Sequence, residues 1–168
     1  PYIMYWGRYI DDVVLIWTGT EQDLVEFVQY LNSNEDHMTF ISKHSTTEIN
    51  FLDVVLFVDG NRVSSKLYRK ETSCNSVLHY HSAHPRSQIR SVPFGEMIRM
   101  RRNNSRDTDF VISLSDLEHR FLSRGYDRSL IRQAKCKAMK LQRDNTLTDR
   151  SKKARLDNET IRLVTNFG

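Results

Sequence analysis

Two adjacent carboxylates, Asp11 and Asp12, stand inside Trp6-Gly7-Arg8-Tyr9-Ile10-Asp11-Asp12-Val13-Val14-Leu15-Ile16-Trp17. Neighbouring acids repel unless a cation or a basic group neutralises them, and the apolar flanks leave little room to splay them apart. Hard carboxylate oxygens select Mg2+ (or Mn2+), ions that usually bridge to substrate phosphates. An Asp-Asp pair is also ordinary chemistry for a solvated turn. A second group is His79, His81 and His84, two of which would share one face if the segment were a strand. That invites a zinc site. Histidines beside a basic stretch also contact phosphate or cap turns, and no fourth ligand stands at matching spacing. Cys74 and Cys136 lie far apart, so neither a disulfide framework nor a four-thiolate zinc site is expected.

Strand formers on both sides of Asp11 and Asp12 predict a hairpin with the pair at its tip. Thr18 and Glu21 have capping-box spacing, opening a helix to about Asn32 whose stripe is Leu24, Phe27, Val28 and Leu31. Met38 to Ser42 reads as a short strand. Ile49 to Val58 reads as one run that breaks at Asp59-Gly60-Asn61 and returns as Arg62 to Lys70, a second hairpin. From Arg86 the pattern turns helical, with Ser91 as a cap, Pro93 in the first turn and Phe94, Met97 and Ile98 as a narrow apolar face. A further helix is predicted from Asp107, with stripe Phe110, Leu114, Leu117 and Phe121, ending at Gly125. The last runs through Leu130, Ile131, Ala134 and Ala138 and carries Arg128, Arg132, Lys135, Lys137 and Lys140.

Helix, glycine turn and basic helix resemble a helix-turn-helix, the alternative being a small bundle with solvated charges. Gln142 to Thr160 reads as a linker, and Ile161 to Phe167 as the start of a strand. The fold class is α+β: 1–85 with the two hairpins and a packing helix, 86–141 helical, 142–168 a basic linker.

Charge divides along the same line. Residues 1–60 hold Arg8 and Lys43 against ten acids, whereas residues 61–168 hold 23 Lys plus Arg against 11 acids. The basic part suits a polyanion. The longest apolar run, Val13 to Trp17, is far too short to span a membrane, and no signal peptide opens the chain. The chain starts at Pro1 within a strand pattern, as expected of a piece of a longer reading frame, and an intracellular, nuclear location is expected. No protein partner is inferable.

Taken in order, Arg8-Tyr9-Ile10-Asp11-Asp12, Asn50-Phe51-Leu52-Asp53-Val54, Leu67-Tyr68-Arg69-Lys70 and the His-Ser-x-His-Pro stretch 81–85 resemble the rear half of a reverse transcriptase of the Penelope-like retroelement type. The resemblance implies a polymerase palm followed by a helical thumb, and RNA-directed DNA synthesis by the parent protein. Asp11 and Asp12 would ligate Mg2+ and Tyr9 would lie under the primer end. Two such metals about 3.5–4 Å apart activate the primer hydroxyl and clamp the triphosphate. The Asn50–Lys70 hairpin would be the primer grip. Contacts to the duplex of RNA template and DNA primer would fall to Arg69, Lys70, Arg86, Arg90, Arg99, Arg101, Arg102, Arg132 and Lys135, following phosphates without reading sequence. Deoxynucleoside triphosphates would be substrates of the complete enzyme. The family's upstream aspartate and fingers are missing, so this piece alone would be a poor or inactive polymerase. The tyrosine signatures of a downstream endonuclease are not found, and Lys43 is the one candidate for the lysine some relatives use as general acid. The rival reading is a nucleic-acid-binding module without catalysis, centred on Asp107–Lys140.

Overall fold

The computed structural model describes residues 2–35, 38–70, 72 and 74–147, and its class is α+β. The strand expected over 161–167 and most of the expected linker lie outside the described residues. Strands β1 (Ile3–Tyr9) and β2 (Asp12–Trp17) form an antiparallel hairpin in which Tyr9 faces Asp12 across a two-residue turn. Helix α1 (Glu21–Asn32) packs back through Phe27, whose ring stacks on Trp17 at 5.4 Å. Gly19 is required there, since a Cβ would come within 2.7 Å of the Tyr2 ring and 2.9 Å of Trp17 Nε1.

The capping box of α1 is Thr20 with Asp23, not Thr18 with Glu21. Thr18 is already committed: its N–H and hydroxyl both donate to Tyr2 O, at 2.8 and 3.0 Å, closing the open end of the hairpin. The strand expected at Met38–Ser42 does not form. Two asparagines of the preceding segment act as its partner. Asn32 exchanges both amide bonds with Phe40, at 2.6 and 3.0 Å, and Asn34 does so with Met38, at 2.8 and 3.0 Å.

The run from Ile49 to Val58 is likewise not one strand. It folds into β3 (Glu48–Phe51) and β4 (Val54–Asp59), and β5 (Arg62–Leu67) completes a meander in the order β3-β4-β5. The extra turn, Leu52-Asp53, has no glycine and holds Leu52 at φ 51°, just as Ile10 is held at φ 53° in the first hairpin. Positive φ is costly for side chains of this bulk. Tertiary bonds offset it at the second turn: Asp53 O accepts from Tyr68 N–H at 2.7 Å, and the Asp53 carboxylate pairs with Arg99. The predicted Asp59-Gly60-Asn61 turn forms with Gly60 at φ 61°.

Helices α2 (Arg86–Asn103), α3 (Asp107–Ser123) and α4 (Arg128–Met139) enclose the main core: Ile89, Met97 and Met100 from α2, Phe110, Leu114, Leu117 and Phe121 from α3, and Ile131, Ala134 and Ala138 from α4. Helix α2 starts at Arg86, earlier than the Ser91 cap implied. Ser91 Oγ instead donates back to Gln88 O at 2.8 Å, and Pro93 is buried inside the helix. Its apolar face is therefore Ile89, Pro93, Met97 and Met100, with Phe94 and Ile98 only half-buried. A short α5 (Arg143–Leu147) occupies the start of the expected linker. It is clasped to α2 by Arg102 Nε donating to Thr146 O at 2.8 Å and Arg143 Nε donating to Arg102 O at 3.1 Å.

Sheet and helices meet at the α2–α3 connection. Ser105 N–H donates to Ser65 O at 2.7 Å, and Ser65 N–H donates to Ser105 Oγ at 2.9 Å, so this loop occupies the free edge of β5. Asn104, fully buried, accepts from Leu67 N–H at 3.0 Å and donates to Met100 O at 2.7 Å and Ser113 Oγ at 3.1 Å. Asn104→Ala strands a buried N–H and carbonyl at once, and is expected to lower the unfolding free energy by about 2–3 kcal/mol. Urea denaturation checks this, and an unchanged midpoint would show that the sheet does not lean on this side chain.

Candidate nucleic-acid interface

Helix α3, the turn Arg124-Gly125-Tyr126-Asp127 and helix α4 form a helix-turn-helix. Gly125 takes φ 79°, which favours glycine, and Asp127 caps α4 by accepting from Ser129 N–H at 2.6 Å. Hydrogen bonding from the Ser129 side chain, with this backbone bond second, holds the Asp127 carboxyl below its ordinary pKa. Tyr126 is buried under the turn, edge-on to Phe121 at 4.9 Å and to Tyr80 at 5.3 Å. The segment before α2 wraps the same turn. Asn75 donates to Arg120 O at 3.0 Å and Ser123 Oγ at 2.9 Å, Arg124 donates to Asn75 O, and Tyr80 N–H donates to Arg124 O at 3.0 Å.

The burial of Ile131, Ala134 and Ala138 directs the rest of α4 outward, and Arg128, Arg132, Lys137 and Lys140 are exposed. Among the described residues no ion pair involves Arg132, Lys137 or Lys140. Lys135 differs, since it pairs with Glu118 of α3 at 2.9 Å and thereby pulls the Glu118 carboxyl below its ordinary pKa. The basic residues singled out in the sequence thus divide into two sets. Arg101 is almost buried, pairing with Asp107 at 2.6 Å, donating to Leu141 O at 3.2 Å and lying 4.9 Å over the Phe110 ring. Arg102 holds α5, and Arg86 lies 5.6 Å over Tyr80. Arg69, Lys70 and Arg99 come together around a cleft of about 600 Å3 between the Leu52-Asp53 turn and α2, but Arg69 pairs with Asp116 at 2.7 Å and Arg99 with Asp53. Lys70, Arg90 and Arg132 stand exposed.

Sequence reasoning missed that Arg106, Arg120, Arg124 and Arg143 are structural. Arg106 pairs with Asp59 at 2.6 Å, lowering that carboxyl's pKa, and so ties β4 to the start of α3. Nothing local marks such residues, because each partner is far away in the chain.

At the first hairpin, Asp11 and Asp12 are exposed at the tip with Tyr9 beside them, and Arg8 Nε donates to Ile10 O at 2.8 Å. The donors are the hard oxygens that Mg2+ prefers. Among the described residues, however, no three His, Cys, Asp or Glu side chains gather to hold a metal. The two carboxylates have no third ligand among the described residues, and His79, His81 and His84 do not gather there as a three-ligand set either. That segment is not a strand. It turns at Tyr80-His81, and His81 N–H donates to His79 Nδ1 at 3.2 Å. Cys74 and Cys136 form no disulfide, and among the described residues no helix is long and apolar enough to cross a membrane.

Burial raises the pKa of the Tyr126 phenol, with the neighbouring Tyr80 adding to the effect, and Tyr126 Oη has no hydrogen-bond partner among the described residues. A group whose folded pKa is raised contributes stability below its unfolded pKa and loses it above, so the chain should weaken as pH rises past about 10. Tyr126→Phe is expected to leave stability at neutral pH within about 1 kcal/mol and to reduce the alkaline loss. Urea midpoints at both pH values test this, and a large loss at neutral pH would show the hydroxyl to be bonded.

No curated protein and no solved structure matches the chain. Residues 76–135, from just after the Asn75 clamp to Lys135 on α4, match the family model described as the animal helix-turn-helix domain.

Proposed function

We propose that the chain binds a nucleic-acid duplex through α4, with Arg132, Lys137 and Lys140 as the phosphate contacts. The observation that carries this reading is the outward basic face of α4, opposite buried Ile131, Ala134 and Ala138, within the segment that matches the animal helix-turn-helix domain. In such motifs the second helix approaches the groove while the first crosses the backbone. A face of arginine and lysine follows phosphates and carries little base information. Each phosphate contact releases counterions, so affinity must fall with salt.

A second reading is that the chain is the rear of a Penelope-like reverse transcriptase. It is favoured by one local observation, the Tyr9-Ile10-Asp11-Asp12 turn, which displays both carboxylates at the end of a short, paired hairpin. Asp11 and Asp12 would hold Mg2+ or Mn2+ there, a metal that supplies charge neutralisation for phosphoryl transfer, and the remaining ligands would have to come from beyond this hairpin. On this reading the Leu52-Asp53 turn and the strand end at Arg69-Lys70 would grip a DNA primer on its RNA template.

The first reading predicts that R132E/K137E weakens binding of the full chain to a fluorescein-labelled DNA duplex by at least about tenfold at low salt and flattens the log K against log salt slope by about two. Circular dichroism should show unchanged helix content. Equal affinity and slope in the variant, or no affinity in the wild type, would reject it. For the second reading, Asp11→Ala in the complete reading frame should abolish primer extension with Mg2+, and undiminished extension would remove Asp11 from the chemistry.

A further inference from the structure

The three histidines left over from the zinc expectation occupy a place that the nucleic-acid reading does not use. Tyr80 N–H donates to Arg124 O at 3.0 Å, which fastens their loop to the helix-turn-helix turn. A Cβ on Gly125 would lie 3.7 Å from the His81 ring and 3.8 Å from the His79 ring. Gly125 stands just ahead of α4, whose first residue is Arg128. Both imidazoles are exposed, with ring centroids 5.7 Å apart. Because the start of the second helix is the end that meets the groove, groups beside this turn flank the nucleic-acid backbone.

Resting on the duplex-binding reading above, we infer that His79 and His81 take a backbone phosphate beside the start of α4, with His81 gaining a proton as it does so. The two rings have different duties. His81 N–H donates to His79 Nδ1 at 3.2 Å, so His79 Nδ1 is engaged as an acceptor and its Nε2 is left to serve as a donor. Among the described residues, the His81 ring makes ring contacts with His79 and Tyr80 and no hydrogen bond occupies it.

The charged and titratable groups around the pair leave that charge without a protein partner. In their own loop, Tyr80 meets the His81 ring edge-on at 5.3 Å, and His84 bonds Ser82 Oγ at 3.2 Å. From α2, Arg86 sits over Tyr80 and donates to Tyr80 O at 3.3 Å. From the turn, Arg124 donates to Asn75 O, Tyr126 is buried, and the Asp127 carboxylate is taken by Ser129 N–H. Among the described residues no carboxylate pairs with His79 or His81. A phosphate oxygen supplies the missing acceptor and is favoured by Arg86 close by.

The test uses the full chain and a fluorescein-labelled, mixed-sequence DNA duplex about two helical turns long, read by fluorescence anisotropy at fixed salt. Wild-type affinity should rise about three- to tenfold between about pH 8 and about pH 5.5. H79Q/H81Q should lose the rise with falling pH, and H81Q alone should lose most of it. Helix content by circular dichroism should match wild type in both variants. A double variant that keeps the full rise, or a wild type with none, overturns the inference while leaving α4 binding intact if R132E/K137E still weakens it. No duplex binding by wild type at any pH would remove both readings together.

Discussion

The buried carboxamide of Asn104 is the interaction on which the placement of the helical unit depends. A side chain with no exposed surface must satisfy its polar atoms inside the protein, and this one does so on three elements at once: β5 through Leu67, α2 through Met100 and α3 through Ser113. Ser65 and Ser105 extend the same seam, so the outer edge of β5 is filled by the α2–α3 loop and is not left open as an edge strand. Arg143 reaches Ser65 Oγ from α5 at 3.4 Å, and Arg106 reaches Asp59 from the start of α3. The helix-turn-helix is therefore mounted on the three-stranded sheet, and any surface that α4 offers is offered in a fixed orientation to that sheet.

The basic residues illustrate how little a charge count says until partners are known. Arginines of α2 and its flanks are largely consumed in holding the fold, with Arg101 spanning Asp107, Phe110 and Leu141, Arg102 bonding α5 and Arg99 pairing with Asp53. On α4 the small buried residues Ala134 and Ala138 let the helix lie close to its neighbours, and the opposite side carries Arg132, Lys137 and Lys140 into solvent. Exposed cations cost nothing to keep hydrated and gain most when a polyanion arrives, because bound counterions are then released. Paired ones such as Lys135 would first have to give up Glu118.

Periodicity made the helical half readable from the sequence. Phe110, Leu114, Leu117 and Phe121 repeat at helical spacing and all are buried, while Gly125 adopts the positive φ expected of a helix-ending glycine. The Asp59-Gly60 turn was legible for the same reason: its residue types have few other uses. What escaped were features decided by distant partners. The Leu52-Asp53 turn hides in a run of strand formers because its strained residue is leucine, held by Tyr68 and Arg99 from elsewhere in the chain. Thr18 has every local qualification for a cap and is diverted by Tyr2 O. Pro93 reads as a helix start, yet burial among core side chains holds it within α2. At the carboxylate hairpin the geometry was legible and the chemistry was not, since a metal site needs donors that neither spacing nor the described residues gather around Asp11 and Asp12.

Titrating the isotopically labelled chain with a DNA duplex and following backbone amide chemical shifts asks directly where nucleic acid lands. The expected result is a continuous patch of shifted amides along α4, extending across the Gly125 turn to His79 and His81, with α2 amides near Met97 and Met100 unmoved. Shifts confined to the β1–β2 hairpin, or spread evenly over the basic half with no concentration on α4, would contradict it.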